Sequence, residues 1–155
     1  MIYVTVGSYP AGFDRLIQYV DDLVGMHPVE CVAQIAGGSY VPKNFRYQRF
    51  FNSSEQNDFI KNAQFVISHG GFGVIGDIIR MGKPMIVVPR PPEEGPNDQR
   101  PVARRLASQF GFPLCENFAT LQEQFLLMNA SDTSSLKYQL DTDIPETIAD
   151  FLRSL

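Results

Sequence analysis

Short apolar runs alternate with amphipathic stretches along almost the whole chain. Ile2 to Val6 is a β-branched, apolar run that stops at Gly7-Ser8, which predicts a buried first strand. Phe13 to Val24 sets Leu16, Ile17, Val20, Leu23 and Val24 at helical spacing. Glu30 to Ala36 predicts a second strand closed by Gly37-Gly38, and Arg46 to Phe51 a short aromatic one. Ser53 is placed to cap a helix running through Phe59 and Ile60. Gln64 to Ser68 predicts another buried strand, ending at His69-Gly70-Gly71. Val74 to Met81 follows as a helix, with Gly82 as its C-terminal stop and Pro84 just beyond. Met85 to Val88 reads as a strand halted by Pro89. Asn97 is placed to cap a helix through Leu106 and Phe110, with Pro101 in its first turn. A short strand over Phe112 to Cys115 and one or two helices complete the pattern. In the last helix, Pro145 to Leu155, the residues Ile148, Phe151, Leu152 and Leu155 share a face, and Asp143 and Glu146 resemble a capping box.

Strands that are continuous apolar runs, alternating with helices, predict an α/β fold: a Rossmann-like parallel sheet with helices on both faces. A length of 155 residues fits one domain spanning residues 1–155. No repeat, low-complexity tract or linker interrupts it. In such sheets ligands sit beyond the carboxyl ends of the strands. Three strand ends carry glycine and polar residues: Gly7-Ser8, His69-Gly70-Gly71, and Pro89-Arg90 with the loop after it. They are expected to converge on one crevice.

Composition narrows the classes of function. Hydrophobic residues at 44% and charged residues at 19% are ordinary for a soluble globular protein. A net charge of −4 argues against a broad electrostatic grip on nucleic acid. Basic and aromatic residues alternate from Lys43 to Phe50, but the stretch is short and reads more simply as an amphipathic strand. The first residues lack the basic n-region of a signal peptide, and no apolar run approaches the roughly 20 residues that span a bilayer. A cytoplasmic location is expected, with any membrane substrate reached through a partner or a surface patch. Cys31 and Cys115 follow no metal spacing and read as buried thiols. The sequons at Asn52 and Asn129 are expected to be chance matches.

The chemistry concentrates in Ser68-His69-Gly70-Gly71-Phe72-Gly73, which leads from a strand directly into a helix. Glycine lets backbone N–H groups approach an anion closely, and a helix N-terminus adds partial positive charge. Such a turn suits a diphosphate; the bland alternative is a tight turn with close helix packing. Gly71 to Gly76 is also a literal G-x-G-x-x-G, and the next strand ends in Arg90, where an NADP enzyme can hold a 2′-phosphate. Against that reading, the motif comes after two earlier strand–helix units and leaves no room for a substrate domain. Asp77 lies one helical turn after Gly73, placed either to accept hydrogen bonds from ribose hydroxyls or simply to be solvated. The loop from Arg90 through Glu94 to Asn97-Asp98-Gln99 joins a strand end to a helix start. Arg90 is a candidate phosphate partner, and the last three residues are candidate readers of sugar hydroxyls; the alternative is a cap plus a rigid turn.

These residues together resemble the glycosyltransferase family 28 C-terminal domain. The resemblance rests on Ile67 to Gly73, then Asp77, then Arg80 to Arg90, then Asn97-Asp98-Gln99, and it runs from residue 1 to about 112. The beginning, Ile2 to Ser8 with Phe13 to Ile17, looks like the stand-alone members of that family, and the Pro-Arg loop makes the small subunits of bacterial two-component capsule and exopolysaccharide enzymes the nearer match. The resemblance implies the C-terminal, donor-holding half of a GT-B fold. It places Gly70, Gly71 and Gly73 against a UDP diphosphate, with Gly7 and Ser8 nearby. Asp77 takes the position of a ribose-binding glutamate, and Phe51-Asn52 lies where backbone holds uracil. Asn97 and Gln99 face the donor sugar, while Asp98 replaces the family's usual histidine. The partner implied is a membrane-associated subunit carrying a lipid-diphosphate-linked sugar acceptor. The apolar face of the C-terminal helix, about residues 145–155, either packs on its own domain or docks that subunit.

The reaction implied is transfer of a hexose or hexuronate from a UDP-sugar to an acceptor hydroxyl, without a resident cofactor. No carboxylate pair stands at ligand spacing, and neither His27 nor His69 has a His or Cys neighbour, so no metal is expected. Helix dipole and backbone amides would stabilise the leaving UDP. A general base is required; His69 is a weak candidate by position, and the partner is the other source. Two further classes stay open: a regulatory UDP-sugar-binding module without catalysis, and the NADP oxidoreductase domain.

Overall fold

A computed structural model describes residues 1–131; the expected helix at 145–155 and its capping pair lie outside the described residues. Among the described residues there are five short strands: β1 (Ile2–Thr5), β2 (Cys31–Gln34), β4 (Phe65–His69) and β5 (Met85–Val88) from the buried runs, and the exposed β3 (Arg46–Gln48). The helices are α1 (Asp14–Met26), α2 (Ser53–Asn62), α3 (Phe72–Arg80), α4 (Arg100–Phe110) and α5 (Phe118–Ala130). All four strand pairings are parallel, in the order β3-β2-β1-β4-β5. The expected Rossmann-like parallel sheet is therefore present.

Period-two alternation along β1 divides the core. Ile2 and Val4 face a cluster with Leu16, Ile17 and Val20 of α1 and Leu121 and Phe125 of α5. Tyr3 faces the other way, onto Ile75, Ile78 and Ile79 of α3, Ala103 and Leu106 of α4 and Ile60 of α2. Helices thus cover both faces, as the uninterrupted apolar strands require. The chain leaves β1 towards β2 and β3 on one side, and returns to β4 and β5 on the other. The reversal at β1 and β4 splays the following loops apart and opens a crevice at their carboxyl ends.

Several boundaries differ from the sequence expectation. The cap of α2 is Asn52 rather than Ser53: its Oδ1 accepts the Glu55 N–H at 2.8 Å, and Glu55 Oε2 accepts the Asn52 N–H at 2.9 Å. The helix expected from Val74 begins at Phe72, so Gly73 sits inside its first turn. Asn97 does not cap α4; the N-cap is Gln99, and Asp98 Oδ1 accepts the Arg100 N–H at 3.0 Å. The strand expected over Phe112–Cys115 is reduced to one bridge between Val87 and Leu114. The aromatic strand keeps only Arg46–Gln48, exposed at the sheet edge.

Candidate functional site

The loops after β1, β4 and β5 meet around a cleft of about 580 Å³, a volume within the range that small-molecule sites occupy. Ten of the residues singled out in the sequence line it: Gly7, Ser8, Asn52, His69, Gly70, Gly71, Gly73, Asn97, Asp98 and Gln99. They come from four separate stretches of chain, and the sheet topology brings them together. Gly7 turns the chain out of β1 at φ +76°, a backbone conformation that L side chains rarely adopt.

The glycines of the β4–α3 turn divide into two kinds. A Cβ on Gly70 would lie 3.0 Å from Gln99 Cβ and 3.1 Å from the Pro89 backbone. A Cβ on Gly71 would collide with the His69 ring. Packing alone explains both. Gly73 is different: a Cβ there meets nothing within 4 Å, and the residue faces the cleft. In a helix, glycine costs about 0.5–1 kcal/mol relative to alanine, and nothing in the surrounding protein requires it here. The N-terminus of α3 is also open. Its N-cap, Gly71, offers no side chain, whereas α2 and α5 are capped by Asn52 and Asn117. The first N–H groups of α3 are thus left to the cleft.

His69 lies in the cleft floor, 7% exposed. Its Nδ1 is 3.1 Å from the Gly71 N–H, which donates to it, and 3.0 Å from Gln99 Nε2. Its Nε2 is buried without a partner, lying where a Gly7 Cβ would come within 2.5 Å. Burial, and then the positive charge of Arg90, push its pKa down to about 4, against a smaller opposing pull from Gln99. These contacts count against His69 as a general base. Its Nδ1 is occupied by a backbone donor, and its Nε2 is closed to solvent. An acceptor hydroxyl has no free lone pair to reach.

Three expected site residues stand off the cleft. Arg90 was expected to pair with phosphate, but its side chain is buried, 2% exposed. Its Nη2 donates to the Val6 carbonyl at 2.9 Å, and the guanidinium stacks 5.2 Å from the Tyr9 ring centroid and 5.3 Å from that of Phe13. It ties the end of β5 to the end of β1. Glu94 turns outward to an ion pair with Arg15 at 2.8 Å. Asp77 pairs with Arg80 at 3.2 Å on the half-exposed flank of α3. Residues not anticipated also build the cleft. Gln34 donates from Nε2 to the Gly7 carbonyl at 2.8 Å and accepts the Phe51 N–H at 2.7 Å, so it fastens the β1 and β3–α2 loops together. The signal for it was a polar residue closing an otherwise apolar buried strand. Gln56 and Phe72 also line the cleft.

The lining residues include no lysine or arginine. Asp98 is bound to Arg100 through two contacts, at 2.8 and 2.9 Å, which hold its carboxyl below the usual range. An anion in this cleft would meet backbone N–H groups rather than a paired cation. Among the described residues, no cluster of three His, Cys, Asp or Glu side chains is placed to hold a metal.

A parallel half-domain with its cleft at the β1–β4 switch point is a GT-B-like Rossmann half-domain. The chain belongs to the glycosyltransferase family 28 C-terminal domain, which matches residues 1–139. It is 32% identical over 99 residues to the human UDP-N-acetylglucosamine transferase subunit ALG13, a match covering 56% of this chain and 8% of the human protein. In fold it is similar to the glycotransferase of kitacinnamycin, with a TM-score of 0.64 at 18% identity, covering 99% of this chain and 38% of that one. The calicheamicin glycosyltransferase CalG4 is similar at a TM-score of 0.64 and 15% identity, covering 98% of this chain and 36% of that one. The chain therefore spans a small part of that curated relative and well under half of these solved structures. At such identities the solved structures speak for the fold alone.

Proposed function

We propose that this domain binds the UDP part of a nucleotide-sugar donor in the cleft, as the donor half of a two-component glycosyltransferase. The observation that carries the reading is Gly73, a helix glycine that faces open cleft and has no packing reason to be glycine. The uncapped N–H groups of α3 stand beside it, suited to the two phosphates. Phe51 and Asn52 also line the cleft, and the family resemblance assigns the uracil to them. Asp77 lies outside the cleft lining, one helical turn beyond Gly73, and is the proposed ribose contact on the strength of the family resemblance. Its exposed pairing with Arg80 is worth little, so exchange for two ribose hydroxyls is cheap.

In the reaction, the bond between the anomeric carbon and the β-phosphate oxygen breaks as the acceptor hydroxyl attacks. Negative charge grows on the leaving UDP, and the α3 N–H groups face that charge. The acceptor proton passes to a general base on the acceptor half, since His69 offers no lone pair. The acceptor half is a membrane-associated partner holding a lipid-diphosphate-linked sugar, which recruits this domain to the cytoplasmic face. This part rests on the resemblance to small polysaccharide-synthesis subunits and on a relative whose name calls it a subunit. Transfer of a hexose or hexuronate for capsule or exopolysaccharide synthesis is the corresponding product chemistry. The NADP reading is weakened, because Arg90, its 2′-phosphate anchor, is buried against Val6, Tyr9 and Phe13.

The test is calorimetric titration with UDP, a panel of UDP-sugars and NADPH, on the wild type and on Asp77→Ala. UDP binding that weakens in D77A supports the reading, and the tightest sugar nominates the donor. NADPH binding without UDP binding overturns it. UDP binding without sugar transfer, when the acceptor half is supplied, identifies a regulatory module instead.

A further inference from the structure

The open edge of the sheet carries a surface that the cleft does not use. Among the described residues seven large hydrophobic side chains are exposed, and three of them, Val41 at 45%, Tyr47 at 40% and Phe50 at 48%, lie on the stretch that leads into and out of β3. Lys43, Arg46 and Arg49 are interleaved with them and are exposed as well. From Cys31 to Ser54 the sequence has no Asp or Glu, so a chain of net charge −4 keeps this one stretch cationic. The carboxylates packed nearby are engaged elsewhere. Asp21 accepts the Tyr40 hydroxyl at 2.6 Å and the N–H groups of Lys43 and Asn44 at 3.0 and 2.9 Å. Asp14 accepts the N–H groups of Ser39 and Tyr40 at 3.1 and 3.2 Å. These bonds fasten the β2–β3 loop to α1, so the exposed side chains stand on a fixed backbone. Arg49 Nη1 donates to the Ala36 and Gly38 carbonyls at 3.0 and 2.9 Å, which holds that side chain in place. Arg46 faces Glu30 at 3.7 Å, with both side chains mostly exposed, a pairing worth little. Lys43 and Arg49 pair with no carboxylate among the described residues.

We propose that this edge, from Val41 to Phe50, is a contact surface for an anionic lipid bilayer. A short, charged edge strand guards against edge-to-edge pairing, which accounts for Arg46 and Arg49. It does not account for Val41, Tyr47 and Phe50, which leave apolar surface in water beside those charges. At a bilayer, apolar and aromatic side chains enter the acyl boundary while lysine and arginine reach the phosphate layer, so the interleaving of the two types fits that partner. A protein partner would have to bury the same three cations against carboxylates of its own. With three cations and three apolar side chains the contact is weak and reversible, and it supplements recruitment by a partner subunit. β3 runs on into Phe51 and Asn52, which line the cleft, so the contact brings the cleft close to the membrane surface. Access to a lipid-linked acceptor is the part that rests on the glycosyltransferase reading; the surface itself does not.

Co-sedimentation of the 155-residue chain with vesicles tests this, with no nucleotide present. One set of vesicles is an equal mixture of phosphatidylglycerol and phosphatidylcholine; the other is phosphatidylcholine alone. Binding to the mixed vesicles at low salt is expected, with roughly tenfold or greater preference over the neutral ones and loss of most of it at high salt. Lys43→Gln combined with Arg46→Gln removes two cations and weakens binding roughly tenfold to thirtyfold, at about fivefold per basic residue. Tyr47→Ser combined with Phe50→Ser also weakens binding but leaves its salt dependence. Circular dichroism checks that both variants fold. Phe50→Trp gives a second reading in a chain with no tryptophan of its own: its emission shifts to the blue when mixed vesicles are added. Wild-type protein that stays in solution, that binds neutral vesicles equally well, or whose binding survives both pairs of substitutions overturns the proposal, as does a Phe50→Trp emission that vesicles leave unmoved. Binding to single-stranded RNA in place of vesicles, abolished by the same substitutions, overturns it in favour of nucleic acid. Vesicle binding that responds to the substitutions in a chain that binds no UDP supports the surface and overturns the nucleotide reading alone.

Discussion

Replacing Gly73 by alanine separates packing from ligand binding more cleanly than any other change in the cleft. The residue is the second of α3, and a Cβ there meets nothing within 4 Å. Adding the methyl group removes backbone entropy from the unfolded chain and costs no contact in the folded one, a gain of about 0.5–1 kcal/mol. For a domain of this length that corresponds to a rise in Tm of about 1–4 °C. Binding should move the other way. The methyl fills the space through which a phosphate oxygen would reach the first N–H groups of α3. Losing one hydrogen bond to a charged group costs about 1.5–3 kcal/mol, or roughly ten- to a hundred-fold in Kd. Thermal unfolding followed by circular dichroism gives the first quantity, and UDP titration the second. A more stable G73A protein that binds UDP as tightly as the wild type would refute the diphosphate cradle. A destabilised G73A would show that Gly73 has a packing role after all.

Other perturbations test neighbouring parts of the site. Gly71→Ala is the converse case: φ −70° and ψ 125° suit any residue, but the new Cβ strikes the His69 ring. Overpacking at about 1–3 kcal/mol and the strain on the bonds to Nδ1 should lower stability by about 2–4 kcal/mol, measured by urea unfolding; an unchanged midpoint would mean that the ring moves freely. The pH dependence of stability carries the signature of His69. Its pKa is about 4 when folded, because burial and the Arg90 charge disfavour the imidazolium, against about 6.5 unfolded. The unfolded chain therefore binds more protons between those values, so this contribution is complete above about pH 6.5 and is lost as pH falls towards 4. The gap corresponds to about 3 kcal/mol. Urea unfolding at pH 7, 5.5 and 4.5 should show that loss, and His69→Gln should flatten it; equal slopes in the two proteins would count against a buried neutral ring.

Local sequence determined the elements and much of the site. Buried parallel strands must be apolar on both faces, so β1, β2, β4 and β5 stand out as continuous runs. Glycine and polar residues at the strand ends were legible because backbone turns and anion-binding N–H groups demand them. Nine cleft residues were named on that basis, and Asn52 through the family resemblance. Helix starts were less legible. Asn52 and Ser53 have similar capping chemistry, and the choice fell to which side chain reached the Glu55 N–H. Direction of side chains was not legible at all. Arg90 and Glu94 sit in a loop that does reach the cleft, yet the fold turns the first inward onto Val6 and the second outward onto Arg15. Gln34 and Gln99 were not readable as fasteners, because Gln34 reaches Gly7 27 residues away and Gln99 reaches Gly70 29 residues away in sequence. Periodicity and spacing describe neighbours along the chain. Which lone pair faces which N–H across the crevice is settled only when parallel pairing brings distant loops to the same end of the sheet.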